Sequence, residues 1–144
     1  MVFFGTHTPR LDDKGRIVLP AKFRDALVEG LVVTRGQDRC LYVWPRADFE
    51  QMTSRLSQTT GRGRNDRSYV RLLYSGASDE QPDKQGRVTI PPTLREYARL
   101  ERDCVVIGAM DKIEIWDSSG WEQYMADHED AFSDLDEEVV VTDE

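Results

Sequence analysis

The sequence predicts a mixed α+β fold, mainly β, built from two tandem copies of one unit with short helices. The first observation is an internal repeat, because residues 12–24 recur as residues 83–95 at a shift of 71. The second is that the match resumes at a shift of 72, where Trp44 corresponds to Trp116. The third is that short β-branched segments alternate with Gly and Pro turn signals in both copies. Because a copy of about 70 residues buries little core alone, we expect the protein to need a partner or an oligomer interface.

Short extended segments define the strands of each unit. β-branched and aromatic residues occur there in short runs, bounded by Gly, Pro and Asp. Gly36 and Gly108 fall in the hairpins that join the last two strands of each copy. The predicted strands are residues 3–6, 16–19, 31–34 and 40–44 in the first copy and residues 72–76, 87–90, 104–107 and 112–116 in the second.

Turns and helices connect these strands in the same way in both copies. Gly15 and Gly86 supply the positive φ that the turns before the second strands require. Pro20 and Pro91 end those strands and suit the first turn of a short helix. A second helix closes each unit, and the Ser pair at 118–119 is expected to cap the later one. The apolar faces of the closing helices are Phe49, Met52 and Leu56 in the first copy and Trp121, Tyr124, Met125 and His128 in the second.

The repeat divides the chain into four parts. Residues 1–56 form the first unit and residues 69–132 the second. Residues 57–68 are a polar linker with Arg and Gly, for which a mobile loop is expected. Residues 133–144 are an acidic tail that is expected to be disordered at its end.

Charge is distributed unevenly along the chain. The formal net charge is −8, which argues against nucleic acid as a partner. However, residues 117–144 carry 11 acidic side chains and no basic one, whereas residues 1–116 carry 19 basic and 16 acidic ones, a net of +3. The acidity therefore belongs to the C-terminal part, and the rest of the chain is compatible with a nucleic-acid partner.

The residue types that support catalysis or metal binding are sparse. Cys40 and Cys104 are expected to be two buried thiols, and His7 and His128 lie far from both in the sequence. We recognise no catalytic constellation, phosphate-binding loop, metal site or cofactor motif. There is also no signal peptide and no apolar run long enough to cross a bilayer. We therefore expect a cytoplasmic protein that is not an enzyme and has no cofactor, small-molecule substrate or membrane partner.

The repeated segments resemble a known family. D-D-K-G-R-I-V-L-P-A-K-F-R (residues 12–24) and D-K-Q-G-R-V-T-I-P-P-T-L-R-E-Y-A (residues 83–98) are similar to the paired D-x-x-x-R signatures of the MraZ family. R-L-L-Y-S-G-A (residues 71–77) and I-E-I-W (residues 113–116) resemble that family too. Two such motifs in register within matching units are a specific signal, and the resemblance covers roughly residues 1–130.

The resemblance implies both a fold and a function. The implied fold is two AbrB-like swapped-hairpin units that form a pseudo-two-fold, double-psi-like barrel. The implied assembly is a homo-oligomeric ring, an octamer or a dodecamer. The implied function is nucleoid-associated transcription regulation, through binding to short direct repeats of double-stranded DNA. The resemblance also implies that these repeats lie in the promoter of the division and cell-wall gene cluster, and that the protein regulates its own operon there.

An Asp and an Arg occur four residues apart in both copies, at a spacing that lets them face each other across a tight turn. Asp12 and Arg16 form one pair, and Asp83 and Arg87 form the other. Each Asp either forms an ion pair that only fixes the turn or orients an Arg towards DNA, and the two roles are compatible. An Arg fork suits bidentate contact with guanine O6 and N7. By the resemblance, Arg16 is expected to be the strongest base or backbone contact and Arg87 the next.

Three further basic residues lie in or beside these turns. Lys14 and Lys84 are either phosphate contacts or ordinary solvated turn lysines. Arg10 precedes the first turn and is a further DNA-binding candidate, but its counterpart is Gln81. Because the first unit is also net basic, we expect it to carry more DNA affinity than the second.

Two other groups of residues could either contact nucleic acid or have no binding role. The linker arginines either touch phosphates nonspecifically or belong to a solvated loop. The aromatic residues form either a stacking platform for single strands or core and subunit packing, and their positions favour packing. The linker arginines are Arg62, Arg64 and Arg67, and the aromatic residues are Phe49, Trp44, Trp116, Trp121 and Tyr124.

The sequence leaves three functions open, one of which is a purely structural ring without a DNA-binding role. The first is a sequence-specific DNA-binding regulator, which predicts salt-sensitive binding that depends on Arg16. The alternative is an antitoxin-like module that binds a protein partner, which predicts dependence on the acidic tail.

Overall fold

The computed structural model describes residues 2–59 and 63–135. In that part of the chain, a similar series of strands and helices occurs twice. The strands are β1 (Thr6–His7), β2 (Arg16–Val18), β3 (Leu31–Arg35), β4 (Leu41–Pro45), β5 (Ser78–Glu80), β6 (Arg87–Thr89), β7 (Cys104–Ala109) and β8 (Lys112–Asp117). The helices are α1 (Ala21–Leu27), α2 (Arg46–Thr59), α3 (Arg64–Ser75), α4 (Pro92–Tyr97) and α5 (Ser118–Ser133), and a 3-10 turn covers Gln37–Arg39.

Six of the strands form one antiparallel sheet in the order β1-β7-β8-β4-β3-β5. β1, β3 and β4 of the first half correspond to β5, β7 and β8 of the second. If each strand is replaced by its counterpart, the order reads the same from the opposite edge of the sheet. At the centre, Tyr42 of β4 lies opposite Glu114 of β8, and these two positions correspond at the shift of 72. A pseudo-two-fold axis therefore passes through the middle of the sheet.

The two halves exchange their outer strands. β1 of the first half pairs with β7 of the second, with Thr6 opposite Ile107. β5 of the second half pairs with β3 of the first, with Val33 opposite Ser78. The mixed α+β class with mainly antiparallel pairing is thus confirmed. The closed double-psi-like barrel is not confirmed, because the strands of residues 2–59 and 63–135 form an open six-stranded sheet and a separate pair.

The separate pair is an antiparallel ribbon of β2 and β6, one strand from each half. Ile17 lies opposite Val88, and these residues also correspond in the repeat, at the shift of 71. Their side chains are buried at 0% and 1% exposure. The ribbon is therefore fixed to the core by its central pair and has its own local pseudo-two-fold symmetry.

The main core lies between one face of the large sheet, the inner face of the ribbon and helices α1 and α4. Alternation along β4 assigns Leu41 and Val43 to this core, whereas Tyr42 and Trp44 face the opposite side. On that opposite side, residues of α2 and α5 pack against a second, smaller cluster. The members of the second cluster that come from helices are Phe49, Met52, Trp121 and Tyr124.

Part of the predicted loop between the units is helical. α2 continues to Thr59 and α3 begins at Arg64, while residues 60–62 lie outside the described residues. The strand predicted at residues 72–76 is wrong, because all but the last of those residues belong to α3. The repeat alignment suggested that strand, but Val70, Leu73 and Tyr74 recur at helical spacing and turn towards the protein.

Three smaller expectations are also corrected. The helices are not uniformly short, since α2, α3 and α5 have 14, 12 and 16 residues. Gly108 lies within β7 and not in the turn that follows it. The backbone of Phe4 approaches Gly108 closely in that strand. Asp117, and not the serine pair, caps α5, because its carboxylate accepts a hydrogen bond from the backbone N–H of Ser119 at 3.2 Å.

Candidate nucleic-acid interface

The solvent face of the ribbon carries two arginines. Side chains alternate along a strand, so residues 16 and 18 of β2 share a face with residues 87 and 89 of β6. Val18 is 42% exposed and Thr89 is also exposed, whereas the side chains of Arg16 and Arg87 are 26% and 32% exposed. The ribbon therefore presents two guanidinium groups, arranged diagonally, on a narrow exposed surface.

The turn before β2 holds Arg16 at both its backbone and its side chain. Oδ1 of Asp12 accepts hydrogen bonds from the backbone N–H of Lys14 at 2.9 Å and of Arg16 at 2.8 Å. Oδ2 of Asp12 accepts a third from Nε of Arg16 at 2.7 Å. A guanidinium has five N–H donors, so the contact through Nε leaves donors for a ligand. The Asp thus fixes the turn and orients the Arg at the same time.

The turn before β6 repeats this arrangement. Oδ1 of Asp83 accepts from the backbone N–H of Gln85 at 2.9 Å and of Arg87 at 2.8 Å. Oδ2 accepts from Nε of Arg87 at 2.7 Å. The two Asp–Arg pairs are therefore equivalent in geometry, although Lys14 has no basic counterpart at the same alignment position.

Hydrogen bonding keeps both turn carboxylates ionised. The backbone N–H of Arg16 is the main cause that lowers the pKa of Asp12 below its usual value of 3.8, and the Arg16 side chain adds to it. The backbone N–H of Arg87 and then its side chain lower the pKa of Asp83 in the same way. At neutral pH each arginine therefore lies beside a full negative charge that orients it.

The two turn glycines lie against arginines of the opposite half. Gly15 and Gly86 have φ of +77° and +76°, as the turn predicted from the sequence requires. A Cβ at Gly15 would lie 2.8 Å from Cζ of Arg95, and a Cβ at Gly86 would lie 2.5 Å from Cζ of Arg24. A side chain at either position would therefore have to displace an arginine and would also strain the backbone.

Sequence reasoning missed Arg24 and Arg95 as parts of the site. Nε of Arg24 donates to the carbonyl of Leu19 at 3.0 Å, and Nε of Arg95 donates to the carbonyl of Ile90 at 2.8 Å. Each guanidinium is thus held at the end of its own ribbon strand, against the other turn. The signal that could have found them was the repeat itself, which aligns these two arginines.

The remaining basic candidates lie in different environments. Lys14 and Lys84 are exposed in the two turns, beside the arginines of the ribbon. Arg10 pairs instead with Asp103 at 3.3 Å, and both side chains are about 70% exposed. Its backbone forms a bridge with that of Asp103, so Arg10 lies beside the start of β7.

Two of the three linker arginines belong to a helix rather than to a loop. Arg62 lies outside the described residues, whereas Arg64 and Arg67 belong to the first turn of α3. The interpretation of the aromatic residues as packing is supported for Trp44 and Trp116, which are 6% and 5% exposed. Rings at that depth offer no platform for a single-stranded nucleic acid.

The cysteines are free and buried in the core. Burial raises the pKa of the Cys104 thiol to about 11 and raises that of Cys40 as well. In the described part of the chain, no three His, Cys, Asp or Glu side chains come together as a metal site. No helix there combines the length and apolarity needed to span a membrane.

Comparison with known proteins identifies the family. The family model described as "MraZ protein, putative antitoxin-like" matches twice in tandem, over residues 2–71 and 73–143. Two relatives named "Transcriptional regulator MraZ", from Kineococcus radiotolerans and Micrococcus luteus, are 56% and 55% identical over 139 residues. A relative of the same name from Frankia alni is 52% identical. These alignments cover 96% of this chain and 97% of each relative. The chain therefore belongs to the MraZ family.

Proposed function

We propose that this protein is a sequence-specific DNA-binding transcriptional regulator and that the β2–β6 ribbon contacts double-stranded DNA. The observation that carries the proposal is the pair of arginines on the solvent face of the ribbon, each held by an Asp through Nε at 2.7 Å. A two-stranded β-ribbon fits the major groove, and an Arg fork reads guanine O6 and N7. The relatives' name, transcriptional regulator, supports the same function.

Both halves contribute to the proposed contact. The pseudo-two-fold symmetry of the ribbon relates Arg16 to Arg87, and DNA has two-fold axes perpendicular to its own axis. A ribbon aligned with such an axis addresses guanines on both strands with the two arginines. Lys14 and Lys84 then provide phosphate contacts from the flanking turns. The two repeat units, residues 1–56 and 69–132, therefore act as one DNA-binding module.

One ribbon makes few contacts and is expected to bind weakly. We propose that a homo-oligomeric ring, an octamer or a dodecamer, presents several ribbons to short direct repeats in DNA. After the first ribbon binds, the next contacts are intramolecular, so repeat spacing contributes to affinity as strongly as repeat sequence. Family membership supports the promoter of the division and cell-wall gene cluster as the target, including the protein's own promoter. The protein would act in the cytoplasm at the nucleoid.

The direct test is fluorescence anisotropy with double-stranded DNA from upstream of the protein's own gene. Wild type, Arg16→Ala and Arg87→Ala are compared on this DNA and on a scrambled sequence, at two salt concentrations. Arg99→Asn is the matched control, because it removes one exposed positive charge at a position with φ of +55°, which Asn tolerates. Tight, salt-sensitive binding that only the two ribbon variants weaken supports the proposal. Equal weak binding to both DNAs by all variants contradicts it.

A protein-binding function is the second candidate. Helix α5 has no buried residue, and it carries Met125 and Phe132 at 41% and 79% exposure. Such a helix, followed by the acidic tail, suits contact with a protein partner. This function predicts a complex that survives Arg16→Ala and is lost when the tail is removed. A promoter footprint that depends on Arg16 excludes it as the main role.

A further inference from the structure

We infer that the end of α5 from one subunit docks into a tyrosine-lined hollow beside α3 of a second copy of this chain. This inference rests on the oligomer of the proposed function and identifies the surfaces that would build it. Two complementary features carry it, and neither belongs to the ribbon or its turns.

The first feature is an apolar stripe on α5 that continues beyond its own subunit's core. Trp121 and Tyr124 pack near Trp116, with ring centroids 5.1 Å and 5.0 Å from the Trp116 ring. The stripe continues at helical spacing through Met125, His128, Phe132 and Leu135. Phe132 and Leu135 are 79% and 57% exposed. The second half of the stripe is therefore uncovered in the described part of the chain.

The second feature is the tyrosine hollow, which lies between α3, α4 and the β3–β4 hairpin. It has a volume of about 160 Å³. A cavity of about 150 Å³ with apolar walls binds benzene, so the hollow is large enough for one phenyl ring. Tyr69 and Leu72 at its mouth are 39% and 56% exposed. Its lining is formed mainly by Tyr42, Tyr69, Leu72, Leu73 and Tyr97.

The charges of the two features are opposite. The exposed half of α5 carries Asp127, Glu129 and Asp130 and no Lys or Arg. At the hollow, the guanidinium groups of Arg35 and Arg39 lie over the Tyr97 ring, with Cζ 5.7 Å and 4.9 Å from its centroid. Arg71 is exposed on α3 beside Leu72. An acidic helix with a terminal Phe therefore matches an apolar hollow with a basic rim, in both the volume of the ring and the sign of the charge.

The geometry of this contact has a consequence for the assembly. The stripe and the hollow are different surfaces of one chain, so the contact is heterologous, and repeating it produces a closed ring or an open chain. Because the ribbon is not part of either surface, every subunit keeps its arginines available for DNA.

Assembly is tested by sedimentation velocity with the full-length protein over a range of concentrations. Phe132→Glu and Leu72→Glu each place a charge at one side of the contact. Each is expected to raise the concentration of half-assembly roughly tenfold or more, because buried aromatic anchors dominate interfaces. Met110→Glu is the matched control, since Met110 is 70% exposed on the β7–β8 turn, outside both surfaces. Circular dichroism and urea unfolding show that the variants remain folded.

Cysteine cross-linking tests which surfaces meet. Phe132→Cys and Leu72→Cys chains are mixed and treated with a mild oxidant, and the buried native thiols do not interfere. We expect a disulfide-linked pair that contains one chain of each kind, and little linkage when either variant is oxidised alone. An intrachain link in the double variant, without a change in mass, shows that α5 folds onto its own subunit and overturns the inference.

The outcomes separate this inference from the proposed function. An oligomeric wild type that neither glutamate substitution weakens, with no mixed cross-link, overturns the docking of α5 and leaves the DNA-binding ring standing. A wild type that is monomeric at every concentration contradicts both the docking and the proposed ring. Loss of assembly in Met110→Glu as well would place the interface elsewhere and also overturns the inference.

Discussion

Gly86, in the turn of the second half, packs against the guanidinium of Arg24 from the first half. A Cβ at this position would lie 2.5 Å from Cζ of Arg24, and the backbone has φ of +76°. The carbonyl of Gly86 also accepts a hydrogen bond from the backbone N–H of Leu19 at 3.1 Å. One residue of the second turn therefore joins the end of the first ribbon strand to the first helix.

Gly86→Ala is expected to destabilise the protein. The left-handed backbone costs a non-Gly residue about 1–2 kcal/mol, and displacement of Arg24 from Gly86 adds to this. Unfolding in urea measures the change in the free energy of unfolding. Gly120→Ala is the control, because Gly120 lies in α5 and a Cβ added there would meet nothing within 4 Å. That control is expected to stabilise α5 by roughly 0.5–1 kcal/mol, so equal effects of the two changes would contradict the packing argument.

The two ribbon arginines are expected to contribute similarly to DNA affinity. Their Asp contacts are both 2.7 Å long and their exposures are 26% and 32%. Arg16→Ala and Arg87→Ala should each weaken specific binding by about 1–3 kcal/mol. Competition anisotropy on single base substitutions measures this loss and shows which base each Arg reads. A loss confined to Arg16→Ala would instead support the expectation from charge that the first unit dominates.

Arg16→Lys separates orientation from charge. Lys keeps the positive charge but lacks the planar fork that can bond Asp12 and a guanine together. We expect nonspecific binding at low salt to remain close to wild type and discrimination against scrambled DNA to fall. The ratio of the dissociation constant for scrambled DNA to that for the promoter DNA measures this discrimination. Full retention of that ratio would show that Arg16 acts only as a point charge.

The turn carboxylates predict a specific dependence of stability on pH. Backbone N–H groups and the arginines lower the folded-state pKa of Asp12 and Asp83 below 3.8. Their contribution is therefore complete above 3.8 and is lost as pH falls through the lower folded-state values. Asp12→Asn with Asp83→Asn should be less stable than wild type at neutral pH. The difference, measured by urea unfolding, should narrow below about pH 3.8, and a constant difference would exclude this linkage.

The native thiols are expected to react slowly. Burial raises the pKa of Cys104 to about 11, so the reactive thiolate is scarce at pH 8. Cys40 is 1% exposed and shares this protection. Ellman's reagent should label the native protein only at the rate of unfolding and should label both thiols at once in urea. Rapid labelling of one thiol in the native state would contradict its burial.

Local sequence signals predicted the parts of the fold that depend on neighbouring residues. The repeat located the Asp–Arg turns, and Gly15 and Gly86 have the positive φ that turn chemistry required. The two hairpins were also placed within one or two residues, since their strands are close in sequence. These features follow from turn geometry and from short-range alternation.

Long-range relationships were not accessible in the same way. Nothing local indicates that β1 pairs with a strand of the other half, or that Arg95 packs on Gly15. The α3 helix was missed because the repeat was taken to impose the same element on both copies. Asp117 was overlooked as a cap because the following serines fit the same preference.

The exchange of strands between the halves has a consequence for synthesis. Thr6 pairs with Ile107, so the first strand to leave the ribosome has no partner until about two-thirds of the chain has followed it. The ribbon likewise cannot form until β6 has been synthesised, so a nascent or truncated first half lacks the strand that pairs with β2. Contacts this distant in sequence slow folding and leave apolar edges exposed meanwhile. An interrupted product that ends before β6 therefore lacks the paired arginines of the proposed DNA contact.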